Sequence, residues 1–564
     1  MPVPDKSHPE SRLRDATSVN RYFPSADSRL MTQTSQRPSA LSGPKSVAFV
    51  LIGLLALFLR VWDLDRRPMH HDEANQAVRT GILLETGVYR YDPEDHHGPS
   101  LYYLSLPLVR LAAGRDFSAT NEVVFRMLPA LFGVAMIPLL LGLRGALSFG
   151  ALALAALFIA VSPAMVFYSR FYIQEMLLVF FMLAAIVSGW RYLVRPSTGR
   201  AVLTGAFIGL MFATKETSVL AYTAAAVALL VVGLSDRSAA RELLSRIKWR
   251  HLGWALLAGF GIASLLFTSF LTHPSGLVDV VKSFEIYLSR GLGNSLHIHP
   301  WYFYLKPLFH QHEGRGPHWT ETTILILALI GIALAIRRPD PAAGNPHFVR
   351  FLAVYTVVLT LLYALIPHKT PWNLLPFLAA MTLLAGFAAA ALLNRVRGAW
   401  VRTLIGALLA VGITHLTWLS VQANFRYFAD PVNPYVYSHT TADFLNLIDR
   451  IEQIAAVSPE GRAMLIEVVA DPYSMWPLPW YLRRFPNVGY WEDPRQVPKD
   501  PVPAVLITTP ELEPELSERL ASGFQGEFYG LRPSVLLLTY IRADLWESFI
   551  ETRTTVRQGQ DGVL

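Results

Sequence analysis

The sequence predicts an all-α polytopic membrane protein that ends in a small α/β domain. Three observations carry this reading. The 564 residues are 52% hydrophobic and only 16% charged, whereas an ordinary soluble domain is about 25% charged. The deficit is concentrated in apolar runs of roughly 17–22 residues, enough to cross about 30 Å of hydrocarbon. After position 423 the pattern changes: the strand-like runs RAMLIEVVA, PAVLITTP and SVLLLTYIR alternate with helical patterns such as TADFLNLIDRIEQIAAV and ELEPELSERLAS. The chain thus divides into a tail at 1–44, a transmembrane domain at 45–423 and an α/β domain at 424–564.

Residues 1–44 are rich in Ser, Arg, Pro and Asp and lack apolar periodicity, so a disordered cytoplasmic tail is expected. They do not read as a signal peptide: the first apolar run starts near Ser46, and no small-residue cleavage site follows it. With no cysteine, the chain has no disulfide framework, thiolate nucleophile or thiolate metal site. The formal charge of +7 is read as Lys and Arg of cytoplasmic loops rather than as a nucleic-acid footprint.

Eleven spans are expected, at about 46–62, 122–143, 147–163, 173–193, 201–214, 217–234, 252–272, 321–336, 348–366, 373–393 and 401–422. The segment 98–113, GPSLYYLSLPLVRLAAG with its following glycine, is ambiguous: it is short and holds Arg110 and two prolines. The positive-inside rule arbitrates. If 98–113 lies along the surface, the loops with Arg144, with Arg191, Arg195 and Arg200, with Arg237 to Arg250, with Arg337, Arg338 and Arg350, and with Arg395, Arg397 and Arg402 all fall on the cytoplasmic side. If it crosses, all of them fall outside. The segments 71–86 and 98–113 are therefore expected as two juxtamembrane helices at the outer face. The same parity puts outside the stretch after the first span, the turn YSRFYIQE, the loop 273–320 and everything after about Ala423.

The stretch RRPMHHDEANQAVRTGILLETGVYRYDPEDHHGPSLYYL, starting at Arg66, is rich in carboxylates and histidines in an otherwise apolar chain. Asp72 and Glu73 open a helical pattern, where acids also serve simply as favourable charge at a helix N-terminus. Their place beside the membrane, between His70-His71 and the second patch DHHGPS, points to chemistry. An Asp-Glu pair just after the first span, then His-Gly-Pro opening a juxtamembrane helix, resembles the dolichyl-phosphate-mannose–protein mannosyltransferase superfamily. These are membrane glycosyltransferases of the GT-C fold, which also includes the aminoarabinose transferase of lipid A. More narrowly, Asp72-Glu73, His97-Gly98-Pro99 and the two arginines Arg126 and Arg170 are similar to the family of flippase-activity-associated glycosylation proteins. The resemblance is specific over about 46–220 and weaker to about 393, and the broader superfamily usually has His-Pro-Pro where this chain has His-Gly-Pro.

The resemblance implies a GT-C-like transmembrane domain. It also implies inverting transfer of a sugar from a polyprenyl-phosphate donor to a hydroxyl of a protein, lipid or polysaccharide, on the extracytoplasmic side of the cell membrane. The residue types fit that chemistry on their own. An acceptor hydroxyl attacking an anomeric carbon needs a base, and the departing lipid phosphate needs positive charge. Asp72, matching the family's first acid, is the expected base; Glu73 is expected as a supporting acid or a ligand for a divalent metal.

Further candidates line the same face. Arg170 and Glu175 lie at the mouth of a span, where charge is expensive, and face the Asp72 cavity or form a local ion pair. Arg126, four residues after Glu122, lies inside a span and either faces the bundle interior or snorkels. His97 belongs to the His-Gly-Pro element; Lys215 of FATKETSVL and Lys369 of LIPHKTPWNLLPF are candidates for the lipid phosphate, Lys369 equally fitting an interfacial belt with Trp372. In loop 273–320, His297 and His299, like His310 and His312, are spaced to ligate a metal, with interfacial packing or acceptor binding as the alternative. No Gly-rich phosphate loop or dinucleotide fingerprint occurs, so no nucleotide cofactor is expected. The competing functions are a transport or flippase-associated component and a non-catalytic scaffold for envelope assembly. A transporter places ionisable groups at the midplane and often shows internal repeats, whereas here the acids cluster at one face and the Asp-Glu stretch is not repeated.

Overall fold

The structure is a computed structural model and describes residues 43–95, 97–291, 297–520 and 523–561. The expected tail lies almost wholly outside the described residues. Each of the eleven apolar segments is helical. We label α1 (Gly43–Val61), α2 (His71–Thr86), α3 (Ser100–Ala113), α4 (Glu122–Leu139), α5 (Phe149–Val161), α6 (Pro163–Ser169), α7 (Glu175–Val194), α8 (Thr198–Phe212), α9 (Ser218–Ser235), α10 (Trp249–Phe267), α11 (Thr322–Arg337), α12 (Pro346–Leu365), α13 (Leu375–Arg395) and α14 (Ala399–Val421). Among the described residues eight helices are long and apolar enough to cross a membrane, and α5 with α6, bent by 60°, makes a ninth span. The apolar helices α8 and α11 are shorter and account for the last two expected segments. The two segments expected to lie beside the membrane are α2 and α3, with α2 starting and ending where the sequence pattern does.

Local signals start these helices. The side chains of Asn121, Ser148, Ser162, Ser197 and Asn345 each accept a backbone N–H of the following first turn. Gly205 and Gly209, four apart on α8, let it approach α10 so closely that an added Cβ would lie 2.0 Å from the Ala255 carbonyl oxygen or 2.3 Å from that of Gly259. This is small-residue packing of the kind that holds helices together in lipid.

The break between α5 and α6 follows from Pro163, which has no N–H to offer the Ile159 carbonyl. Arg60 of α1 replaces it: the guanidinium donates to Ile159 O at 2.8 Å, Ala160 O at 3.1 Å and Ser169 Oγ at 3.0 Å. On the other side of the break, Glu321 Oε1 accepts the Ala164 N–H and the Ser162 hydroxyl, both at 2.9 Å. A wholly buried arginine that sequence inspection passes over thus satisfies the carbonyls that a broken span would leave bare.

The loops gather at two ends. At one end Asn345 donates to Ala146 O, Lys248 N–H to the Tyr192 hydroxyl, and Arg395 to Arg338 O. These are the arginine-rich loops. At the other end Ser100 donates to Ala213 O, Ser269 to Tyr89 O, and Lys369 N–H to His297 O. This end carries α2, α3 and the C-terminal part of the chain.

That C-terminal part is a five-stranded sheet of order β2-β1-β3-β5-β4, built from β1 (Ile466–Val469), β2 (Val488–Trp491), β3 (Val505–Thr508), β4 (Phe524–Arg532) and β5 (Val535–Arg542). β1 pairs in parallel with β2 and β3, while β5 is antiparallel to β3 and β4. Phe444, Leu447 and Ile451 of helix α15 (Asp443–Val457) and Leu545 and Phe549 of helix α16 (Ala543–Asp561) pack against Ile466, Val468 and Ile541. The three strand-like runs became β1, β3 and β5. β2, glycine-containing and only half-buried, and β4, polar and glycine-interrupted, do not stand out alone; pairing with β1 and β5 makes them strands.

Replacing Arg60 by Met is expected to cost about 2–4 kcal/mol, because it strands buried carbonyls without donors. Thermal unfolding of the detergent-solubilised protein checks this, with Arg90→Met at an exposed position as the neutral control.

Candidate active site

The site begins at the N-terminus of α2. His70 is the N-cap: its Nδ1 accepts the Asp72 N–H at 3.0 Å, and its own N–H goes to Glu73 Oε2 at 3.2 Å, completing a capping box. Asp72 and Glu73 are neighbours on a helix, so they point about 100° apart, and the two carboxylates meet opposite fates.

Glu73 turns inward and is 0% exposed. Arg126 of α4 grips it bidentately, Nε at 2.8 Å and Nη2 at 2.7 Å, and the Tyr172 N–H adds a bond at 2.9 Å. The remaining Arg126 donors go to the carbonyls of Leu64, Arg67 and Pro68. Burial acts to raise the Glu73 carboxyl; the arginines at 126 and 67 and these hydrogen bonds outweigh it and hold the group below its usual range. Glu73 and Arg126 are therefore mutually satisfied.

Asp72 turns outward, with its side chain 38% exposed. Burial would raise its carboxyl, but His70, His71, His97 and Lys215 together hold it below the ordinary range. Two of these come from distant segments. Gly98 makes the first approach feasible: a Cβ there would sit 2.3 Å from the Ala213 carbonyl oxygen, which accepts the Ser100 N–H at 3.0 Å. His-Gly-Pro thereby docks on the turn after α8, and His97 Nδ1 meets Glu216 Oε2 at 2.9 Å and the Tyr287 hydroxyl at 2.7 Å. Lys215, in the same turn, pairs with Glu175 at the start of α7 and lies 3.4 Å from Asn373 Oδ1.

Arg170 caps the C-terminal end of α1, donating to the carbonyls of Leu59, Trp62 and Asp63, and stacks on Phe425. The Lys369 ammonium is held by the carbonyls of His299 and Ile366, and burial pushes it down. Of the sequence candidates, Asp72, His97, Glu175, Lys215 and His297 thus converge by contact or electrostatic reach. Glu73, Arg126, Arg170 and Lys369 are committed to the framework around them.

His297 Nδ1 and His299 Nε2 meet the same Tyr437 hydroxyl, at 2.8 and 3.0 Å. Among the described residues no three His, Asp or Glu side chains gather to hold a metal ion. In this structure both rings of the His297–His299 pair are engaged by the Tyr437 hydroxyl.

The site also has a wall that the sequence did not announce. Residues after 423 pack directly on α2: the Met69 N–H donates to the Tyr481 hydroxyl at 2.9 Å, Thr440 Oγ1 to Met69 O at 2.7 Å, and the rings of Tyr473 and Trp476 face His71 at 5.5 and 6.1 Å. Trp480 donates to Glu122 and Arg483 to Thr120 O. No local motif marks these residues, because their partners lie hundreds of positions away.

Glu73→Gln is expected to destabilise by about 3–5 kcal/mol, since it leaves the buried Arg126 charge uncompensated, whereas Asp72→Asn is expected to unfold within about 1 kcal/mol of wild type. Thermal or denaturant unfolding separates the two. The folded Glu73 pKa is depressed, so its contribution is present above the unfolded value of about 4.3 and fades as pH falls through the lower folded value.

Residues 101–273 match the family model of dolichyl-phosphate-mannose-protein mannosyltransferase. No curated protein matches the chain. Solved structures do. ArnT from Cupriavidus metallidurans bound to undecaprenyl phosphate superposes with a TM-score of 0.54 at 15% identity, over 88% of this chain and 98% of that one. The archaeal oligosaccharyltransferase AglB from Archaeoglobus fulgidus, in complex with an inhibitory peptide and a dolichol-phosphate, gives 0.51 at 13% identity, over 90% and 77%. The oligosaccharyltransferase from the same organism in complex with Zn and sulfate gives 0.53 at 12%, over 89% and 76%. Among the described residues, the arrangement of eleven apolar segments with two helices at one end and a covering C-terminal module is the fold of these solved structures.

Proposed function

We propose that the protein is an inverting glycosyltransferase that moves a sugar from a polyprenyl-phosphate carrier to a hydroxyl acceptor at the extracytoplasmic face of the cell membrane, with Asp72 as base. One observation carries this: of the two adjacent acids, only Asp72 is open, and it is ringed by His70, His71, His97 and Lys215. An anionic lipid head and a nucleophilic hydroxyl need that combination. The relatives in complex with undecaprenyl phosphate and with a dolichol-phosphate support the donor class. The outer location rests on the arginine-rich loops collecting at the opposite end.

In this reading the acceptor hydroxyl attacks the anomeric carbon as Asp72 takes its proton. The bond from that carbon to the phosphate oxygen breaks, and the electron pair leaves on the lipid phosphate. Lys215, held by Glu175 and Asn373, supplies positive charge to the departing group. Glu73 and Arg126 hold α2 so that Asp72 keeps its aim. The transport reading is less well supported, because the ionisable residues around Asp72 sit at one end of the bundle instead of its middle.

Asp72→Asn is expected to keep the fold and lower sugar transfer from a labelled polyprenyl-phosphate donor by at least about 10²-fold, the scale of a lost general base; unimpaired transfer would remove the base assignment. The neighbouring histidines and Lys215 hold the Asp72 carboxyl below its ordinary range, so it stays ionised and active on acidification. The pH profile of kcat/KM should therefore be level from neutrality down to about pH 4, with its acid limb below that. A limb centred near pH 6 would point to a different base.

A further inference from the structure

Arg532, the last residue of β4, is the least explained charge in the molecule. It is 4% exposed. Its Nη2 donates to the Tyr473 carbonyl, and the guanidinium stacks on the Tyr473 ring at 3.8 Å from the centroid. Its Nε and Nη1 are buried with no hydrogen-bond partner. Two carboxylates, Asp72 and Asp471, lie within electrostatic reach, and neither bonds it. Beside it, the Tyr473 ring faces His71, whose Nδ1 is also buried and unpartnered. Arg532 and His71 thus both lie against Tyr473, at the edge of the Asp72 site, with hydrogen-bonding capacity left over.

Burying an arginine is expensive, and leaving its N–H groups unsatisfied adds to the cost. Elsewhere the cost is largely met: Arg67, Arg79, Arg483 and Arg519 each leave only Nε buried without a partner, where Arg532 leaves two nitrogens. Arg60 and Arg170 find carbonyls, Arg126 finds Glu73, and Arg519 of the same C-terminal module grips the buried Glu467 at 2.7 and 2.8 Å. Arg532 sits where its missing partner would be a neighbour of Asp72. A guanidinium is suited to phosphate by geometry and by its permanent charge.

We infer that Arg532 is a substrate-binding residue contributed by the C-terminal module, and that it holds the phosphate of the lipid carrier beside Asp72, with His71 as a second contact. The module then completes the site as well as covering it: the transmembrane helices supply the base and Lys215, and the sheet supplies the second cation. This inference rests on the donor class proposed above, but its test does not depend on the base.

The test uses the full-length protein in lipid nanodiscs, with undecaprenyl phosphate and uncharged undecaprenol as probes. Wild type is expected to prefer the phosphate, and Arg532→Gln to lose at least tenfold in affinity for it while binding undecaprenol unchanged. Arg532→Lys, which keeps the charge without the planar fork, should fall between them. Undecaprenyl phosphate should raise the melting temperature of wild type more than that of Arg532→Gln; a merely structural arginine would lower the ligand-free melting temperature through its Tyr473 contacts and leave the ligand-induced rise unchanged. Asp72→Asn should retain phosphate binding, so loss of the base assignment would leave this inference standing. No preference for the phosphate in wild type, or the same preference in Arg532→Gln, overturns it. Inorganic phosphate binding through Arg532 with no contribution from the lipid phosphate would overturn the lipid assignment.

Discussion

The structure at the head of the bundle depends on one buried ion pair. Glu73 and Arg126 neutralise each other in a region closed to water, and each also satisfies backbone groups: Glu73 takes the N–H of His70 and Tyr172, and Arg126 takes three carbonyls of the 64–68 segment. The pair therefore fixes the exit of α1, the start of α2, the N-terminal part of α4 and the turn before α7 relative to one another. Such a pair gives little net stability over an apolar substitute, but it penalises every arrangement that separates its members. What it secures here is orientation, and the adjacent Asp72 inherits that orientation.

A helix terminus makes this division of labour available. Two consecutive residues in the first turn of α2 point in different directions, so one acid can be spent on architecture while its neighbour stays open. The basic residues around Asp72 arrive from three segments, 70–71, 97 and 215, and two of those depend on close backbone contact at Gly98 and Ala213. The result is a carboxylate kept ionised in a patch whose charge suits an anionic ligand. The C-terminal module closes over this patch through aromatic and hydroxyl contacts to Met69 and His71.

The bent span α5–α6 shows the same economy lower in the bundle. Pro163 removes one donor, Ala164 turns its N–H to Glu321, and Arg60 answers both vacated carbonyls. Charged groups inside an apolar bundle are tolerated because each meets backbone dipoles that would otherwise be unsatisfied in lipid.

The number and placement of apolar helices, the two helices beside the membrane and the α/β character of the C-terminal part were all legible in the sequence, because hydrocarbon imposes length and periodicity on any segment that crosses it. The acidic loop was legible too, since charge stands out against an apolar background. Tertiary structure alone decided which acid is open and which is buried: Asp72 and Glu73 are one residue apart and chemically alike, and only the position of Arg126 on another helix separates them. It likewise decided that Arg126, Arg170 and Lys369 are occupied by carbonyls, that His297 and His299 share Tyr437, and that Arg532 reaches the Asp72 site. The reason is physical: the role of an ionisable group is set by the partners within a few ångströms of it, and here those partners come from segments that the linear chain keeps far apart.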